Sequence, residues 1–356
     1  VSTRGNLKWK RFPRIRKFFA VILVILFPLL VILVIYIFTA GPKLPPETDA
    51  IIDEVLNREL PEQIVGETGF ASSAGLNIWY EGIPPKGTPK GTVLLIMSNG
   101  GDGFFWPPSF MQAFVAAGYQ LIRYDHRGTG MSDWVAAWDR RNPYTLGDMA
   151  GDAVAVLDAL DVQEAHLVGV SLGGMVAQEV AINHPDRVAS LTLIMTSGDV
   201  GDPDLPSLST RYLLESTLKK LSLLKYRIMG GEKNLIKERI AGYILLLGDD
   251  GLDIQEIAEP FLYDHRNRRG INARAAFQHI MAVSRSGSRY EKLRALDVPT
   301  LVIHGKDDQL LPIEHGEKLV DIIPNAKGLW VDGMGHVFPL PKALTKDILS
   351  HIGGDR

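Results

Sequence analysis

A chain of 356 residues, 46% hydrophobic and 22% charged, is long enough for one large folded domain or two ordinary ones and too apolar for a disordered protein. It has no cysteine, so disulfides, thiolate metal sites and cysteine nucleophiles are excluded together. The net charge of −3 hides an uneven distribution: Arg4, Lys8, Lys10, Arg11, Arg14, Arg16 and Lys17 stand in a stretch without acid, and setting those seven aside leaves 31 basic against 41 acidic residues, which argues against a nucleic-acid partner.

The run from Phe18 to Ala40 carries no charged side chain and, as a helix, would span roughly 34 Å, enough to cross a bilayer. A buried core helix would show a polar face and an interfacial helix a strongly one-sided pattern, whereas this segment is apolar all round. A cleaved signal peptide has an apolar stretch of about 7–15 residues and a small-x-small cleavage site; this run is longer, and Phe38-Thr39-Ala40 is a poor site. Pro28 is tolerable in a spanning helix. Because basic residues beside a spanning helix stay on the cytoplasmic side, residues 1–17 read as a cytoplasmic tail and 18–40 as a single transmembrane helix in the cell membrane. The rest of the chain is then extracytoplasmic.

Residues 41–60 read as a linker. Three prolines in GPKLPPE make its start stiff, and a short amphipathic segment follows near Ala50–Leu60. From residue 61 the pattern alternates. Strands are expected at LNIWYE (from Leu76), TVLLIMS (Thr92), QLIRYD (Gln120), AHLVGV (Ala165), VASLTLIMT (Val188), TLVIHG (Thr300) and KGLWVD (Lys327). Several are continuous apolar runs, as strands buried on both faces should be. Helical patterns over Thr145–Leu160, Leu172–Asn183 and Ile313–Ile322 lie between them, which implies a mostly parallel sheet covered by helices on both faces. Only residues from about 198 to 286 break the alternation; they read as a helical cap inserted over the sheet.

The sequence Gly169-Val170-Ser171-Leu172-Gly173 is a G-x-S-x-G pattern placed where a buried strand ends and a helix begins. That placement suits a nucleophile on a strained turn, with glycines where side chains would clash; an ordinary strand-helix turn is the alternative. A serine hydroxyl attacks only if a base takes its proton and an acid orients that base. Of the histidines after Ser171, His336 is the best candidate, because Gly333-Met334-Gly335 forms a flexible loop after the strand KGLWVD. His184 reads instead as a helix C-terminal residue and His304 as a strand-end packing residue. The acid should stand at a strand end, where Asp307 and Asp308 are both available; Asp199, after an earlier strand, is a further alternative.

These residues resemble the α/β-hydrolases of the esterase, lipase and epoxide-hydrolase group, over about Gly69 to Ile352. The likeness is carried by Asp125-His126-Arg127-Gly128-Thr129-Gly130-Met131-Ser132, similar to the family's D-x-R-G-x-G-x-S turn, by the elbow at Ser171, and by His184-Pro185-Asp186-Arg187-Val188. His304-Gly305-Lys306-Asp307-Asp308 with Pro312 resembles the acid turn and Gly335-His336 the base. The stretch from Leu95 to Gly101 looks closest to the methylesterase branch acting on polyketide-type esters, although Met97-Ser98 replaces the commoner His-Gly.

The resemblance implies an eight-stranded, mostly parallel sheet with a cap, and a triad of Ser171, Asp308 and His336. It also implies an oxyanion hole of the Asn99 and Leu172 backbone amides. An aspartate nucleophile for epoxide or halide chemistry is excluded by Ser171. Phe104, Phe105, Trp106, Trp134 and Trp138 follow strands on the side where the site should open, with core packing the alternative for each, and Trp106 and Trp134 are the candidate substrate-binding residues. The expected reaction is cleavage of a small, apolar carboxylic ester through an acyl-enzyme, with no cofactor and no metal. The same triad acting on an amide, lactone or carbon-carbon bond, perhydrolysis, acyl transfer, and a non-catalytic binding protein remain alternatives.

Overall fold

The computed structural model describes residues 13–206, 210–246, 252–336 and 342–354, with side chains in the first helix from Leu26 onward. Eight strands, Glu67–Ser73 (β1), Leu76–Ile83 (β2), Thr92–Ile96 (β3), Gln120–Tyr124 (β4), Ala165–Val170 (β5), Val188–Ile194 (β6), Thr300–Gly305 (β7) and Lys327–Val331 (β8), form one sheet in the order β1-β2-β4-β3-β5-β6-β7-β8. From β4 through β3 to β8 the pairing is parallel, while β1 and β2 run antiparallel at one edge. All seven strands expected from apolar runs are present. The eighth, β1, is small and polar (ETGFASS) and lacks such a signal. It is held by a two-residue hairpin in which Ala74 and Gly75 both take positive φ, the geometry that matches strand twist.

The helices are Pro13–Thr39 (α1), Thr48–Asn57 (α2), Pro108–Ala116 (α3), Leu146–Ala159 (α4), Leu172–Asn183 (α5), Thr210–Leu221 (α6), Leu224–Met229 (α7), Glu232–Ile244 (α8), Ile254–Asn267 (α9), Ala273–Ser286 (α10), Tyr290–Leu293 (α11), Glu314–Ile322 (α12) and Lys342–Gly353 (α13). One face of the sheet packs on α4, α5, α11 and α12 through Met149, Val176, Val180, Leu293 and Leu319; the other packs on α3 and α13 through Phe110, Phe114, Leu344 and Ile348. Helix α4 starts at a capping box. The Thr145 hydroxyl accepts from the Asp148 amide, and the Asp148 carboxylate accepts from the Thr145 amide.

Between β6 and β7 the described residues hold no strand, and α6 to α10 form the cap. Helix α2 belongs with it, which modifies the expectation of a linker over 41–60. Ile52 and Val55 are buried against Ile236, Ile240, Ile257 and Leu262 of α8 and α9, and Lys233 pairs with Asp53 at 2.6 Å. Among the described residues no helix is long and apolar enough to cross a membrane. Helix α1 has 27 residues, but the part with described side chains, from Leu26, is only about 21 Å long; Leu26, Phe27, Leu29, Leu30, Ile32 and Ile35 on it are exposed. The expected basic tail lies outside the described residues as far as residue 12.

Candidate active site

Ser171 sits between the end of β5 and the start of α5 at φ 53 and ψ −116, a left-handed conformation that costs a non-glycine residue energy. Three glycines around it permit the turn. A Cβ on Gly169 would fall on the Gly173 carbonyl, one on Gly173 would fall on the Ile96 carbonyl of β3, and one on Gly174 would lie 2.7 Å from the Thr196 methyl. The strain is opposed by hydrogen bonds on both sides: the Ser171 amide donates to the Ile194 carbonyl at 2.8 Å, and the Thr196 hydroxyl donates to the Ser171 carbonyl at 2.7 Å.

His336 lies after β8, with Nε2 3.0 Å from the Ser171 hydroxyl and Nδ1 2.7 Å from Asp308 Oδ2. Asp308 is 4% exposed. Its other oxygen accepts from the amides of Leu310 and Leu311 at 2.9 and 2.8 Å, which fixes the rotamer. Burial alone would raise its pKa; the His336 ring and then His304, whose Nε2 is 3.3 Å from Oδ2, outweigh that and hold the carboxyl well below the usual carboxylate range. Asp307 at the same turn is exposed. Asp199 instead accepts from the Gly201 amide, and His184 closes the C-terminus of α5. His304 is fully buried and hydrogen-bonds the Leu311 carbonyl, so it supports the acid turn as well as packing it.

Asn99 lies in the loop between β3 and α3, and Leu172 is the first residue of α5, where backbone amides have no intrahelical acceptor. Ser98, Asn99 and Ser171 line a cavity of about 910 Å³ together with Met195 of the core and Leu235, Tyr243 and Leu246 of the cap. A second cavity of about 400 Å³ shares Lys219, Leu245, Leu246, Leu310 and His336 with it and extends to Gly41 and Pro42, just beyond α1.

The two tryptophans expected to bind substrate lie elsewhere. Trp106 is fully buried in the core against Phe110, their ring centroids 5.3 Å apart, and Trp134 lies at the surface beneath Arg269. Large aromatic side chains close to a site fill the core as readily as the cavity, and loop position does not tell which way they turn. Of the five aromatics singled out, Phe105 alone lines the large cavity; Arg239 stacks on it at 3.5 Å.

A network of buried charge joins the cap to the sheet beside the cavity. Arg268, after α9, pairs with Asp125, and Arg123 pairs with Glu81 at 2.6 Å. Burial pushes Asp125 up to about 6 against the pull of Arg268, and burial followed by the Asp102 charge pushes Asp264 up to about 8.

Residues 91–343 match the family model for the alpha/beta hydrolase fold. Rhodomycin D methylesterase DauP from Streptomyces sp. (strain C5) is 32% identical, over 74% of this chain and 90% of its own. Among solved structures, esterase RhEst1 from Rhodococcus sp. ECU1013 superposes with TM-score 0.59 at 23% identity, over 80% of this chain and 98% of its own. A membrane phospholipase A superposes with TM-score 0.60 at 20% identity, over 95% of this chain and 98% of its own. The two superpositions speak to the fold.

Proposed function

We propose, from the premise that this chain belongs to the α/β-hydrolase fold family, that it cleaves a carboxylic ester with Ser171 as nucleophile, His336 as base and Asp308 as the acid that orients the base. The observation that carries this reading is the line of contacts from Ser171 through His336 to Asp308, 3.0 and 2.7 Å long. The ester rather than another bond is supported by the methylesterase relative, and an apolar substrate by the Met195, Leu235 and Leu246 walls of the cavity.

The Ser171 oxygen attacks the carbonyl carbon while its proton passes to His336 Nε2. The carbonyl oxygen becomes an oxyanion held by the amides of Asn99 and Leu172. His336 then gives the proton to the leaving alkoxy oxygen, the ester C–O bond breaks, and an alcohol departs from an acyl-enzyme. Water attacks the acyl carbon with His336 taking its proton, and the acid leaves as Ser171 recovers its hydrogen. Asp308 stays ionised throughout, because its depressed pKa lets it stabilise the imidazolium without accepting a proton. The cycle calls for no metal or cofactor.

The same reading places the enzyme on a membrane, anchored by residues 18–40 with the basic tail cytoplasmic and the catalytic body outside. Its support is the uncharged run itself, the basic residues before it, and the exposed apolar side chains from Leu26 to Phe38.

The deciding experiment is labelling with a fluorophosphonate. Modification should fall on Ser171, and Ser171→Ala should lower turnover by on the order of a thousandfold or more with unchanged melting. An alanine variant that still hydrolyses p-nitrophenyl esters would remove the nucleophile from this account.

A further inference from the structure

An oxyanion hole works only if its amides point at one place before the reaction begins, and the Asn99 amide lies in a loop containing glycines at positions 100 and 101. Gly100 sits at φ +69, and a Cβ there would lie 2.8 Å from the Ala276 Cβ of α10, so both backbone conformation and space demand glycine. Glycine also leaves the loop its widest rotational freedom. That freedom has to be removed.

Three hydrogen bonds remove it, one on each of three successive peptide planes. His126 Nε2 donates to the Met97 carbonyl at 2.7 Å, the Gly101 amide donates to the Ser98 carbonyl at 3.1 Å, and the Gly100 amide donates to His279 Nδ1 at 3.1 Å. The middle plane carries the Asn99 N–H. Since C=O and N–H point opposite ways across a trans peptide, anchoring the Ser98 oxygen sets the direction of the Asn99 hydrogen, and the outer two bonds stop the neighbouring planes from turning it.

His279 belongs to the cap, on α10, and its other ring nitrogen, Nε2, donates to the Arg127 carbonyl at 3.0 Å. It is fully buried and edge-on to His126, ring centroids 5.5 Å apart. Burial holds both rings below the usual imidazole value, at about 3 for His279 and about 4 for His126, so both are neutral near neutral pH. With its proton on Nε2, His279 keeps Nδ1 bare to accept from Gly100.

We infer that His279 is a positioning residue for the oxyanion hole, through which the cap helix α10 keeps the Asn99 amide from turning away from the direction its loop gives it. This rests on the ester-hydrolase reading above, in which that amide receives the oxyanion.

The test compares His279→Asn, whose amide oxygen can take the place of Nδ1 and accept from Gly100, with His279→Gln, whose amide group reaches toward Arg127 in place of Nε2. Each is measured for melting, for kcat and KM on a p-nitrophenyl ester, and for affinity for an aryl trifluoromethyl ketone, which adds to the serine and puts its oxyanion in the hole. The asparagine variant should keep kcat within about threefold, whereas the glutamine variant should lose about tenfold or more in kcat at nearly constant KM, with ketone affinity falling in step. Equal kcat in the two variants, or a fall in kcat with ketone affinity unchanged, overturns the inference. Should neither variant fold, nitrogen chemical shifts of the unsubstituted enzyme decide: a bare Nδ1 on His279 whose shift moves on ketone binding supports the brace, and a protonated or unresponsive Nδ1 refutes it. Labelling at Ser171 is measured independently, so an enzyme that labels there but gives a flat His279 series refutes the brace alone.

Discussion

Asp308→Asn should lower kcat by about 10⁴, whereas Asp307→Asn at the adjacent position should leave it within about twofold. Asp308 Oδ1 already accepts from the Leu310 and Leu311 amides, so an asparagine has to turn its oxygen toward those two donors and its NH2 toward His336. An NH2 group donates, which forces His336 Nδ1 to be bare and moves the ring hydrogen to Nε2. That nitrogen, 3.0 Å from the Ser171 hydroxyl, can then no longer take the serine's proton. A wrong tautomer of this kind costs about 10⁴ in the serine-protease template, or about 5.4 kcal/mol of barrier. Asp307 is exposed, lines the second cavity and makes no hydrogen bond in this chain of contacts. The assay is kcat on a p-nitrophenyl ester, normalised to active sites counted with a fluorophosphonate, with melting followed in parallel. A loss at position 307 equal to or larger than that at 308, or an Asp308→Asn enzyme retaining more than about a tenth of wild-type turnover, would refute the argument.

Gly173→Ala drives a methyl into the Ile96 carbonyl and should cost about 3 kcal/mol or more, seen as a Tm lower by about 6 °C or more; Gly151→Ala, on an open face of α4, should instead hold or raise Tm. A mild Gly173→Ala variant would mean that the elbow has more room than its backbone contacts suggest. Asp264, raised by burial and then by Asp102 to about 8, binds a proton in the folded state that the unfolded chain, near 3.9, releases. Stability should therefore fall as pH rises from about 4 to about 8 and level off above, and Asp264→Asn should escape that loss. The Tm advantage of the asparagine variant should widen from pH 5 to pH 9, and a constant difference across that range rules the shift out. A chain beginning at Leu44 keeps α2 and its contacts with α8 and α9, so it should be soluble and active. The full chain should sediment with membranes and resist carbonate extraction, and full-length protein recovered in the soluble fraction would count against the anchor.

Much of this fold was readable because its signals are local. The buried strands are continuous apolar runs, and α4 and α5 appeared within a residue or so of their expected ends because a capping box and a glycine-rich elbow mark their starts. The edge strand β1 was not readable: its partner across the hairpin, rather than its own polar sequence, makes it a strand. Within the site, Ser171 and His336 stood out through the glycines around them, and the structure brings them together with Asp308. Trp106 was misplaced because an aromatic after a strand can turn inward or outward, and packing against Phe110 turned it inward. His279 carried no signal at all, since nothing in a cap helix shows that its histidine will meet a glycine amide 179 residues earlier.

What the sequence determined by itself is whatever depends on residues a few positions apart: the strand-helix alternation, the strained serine turn, the missing cysteines and the uncharged run before the body. What the tertiary structure alone decided is which distant groups become neighbours. It set α2 among the cap helices and brought His279 to the loop that holds Asn99. The physical reason is range, because helix and turn preferences act within one or two turns of chain, whereas a hydrogen bond or a buried contact acts over a few ångströms of space whatever the separation in sequence.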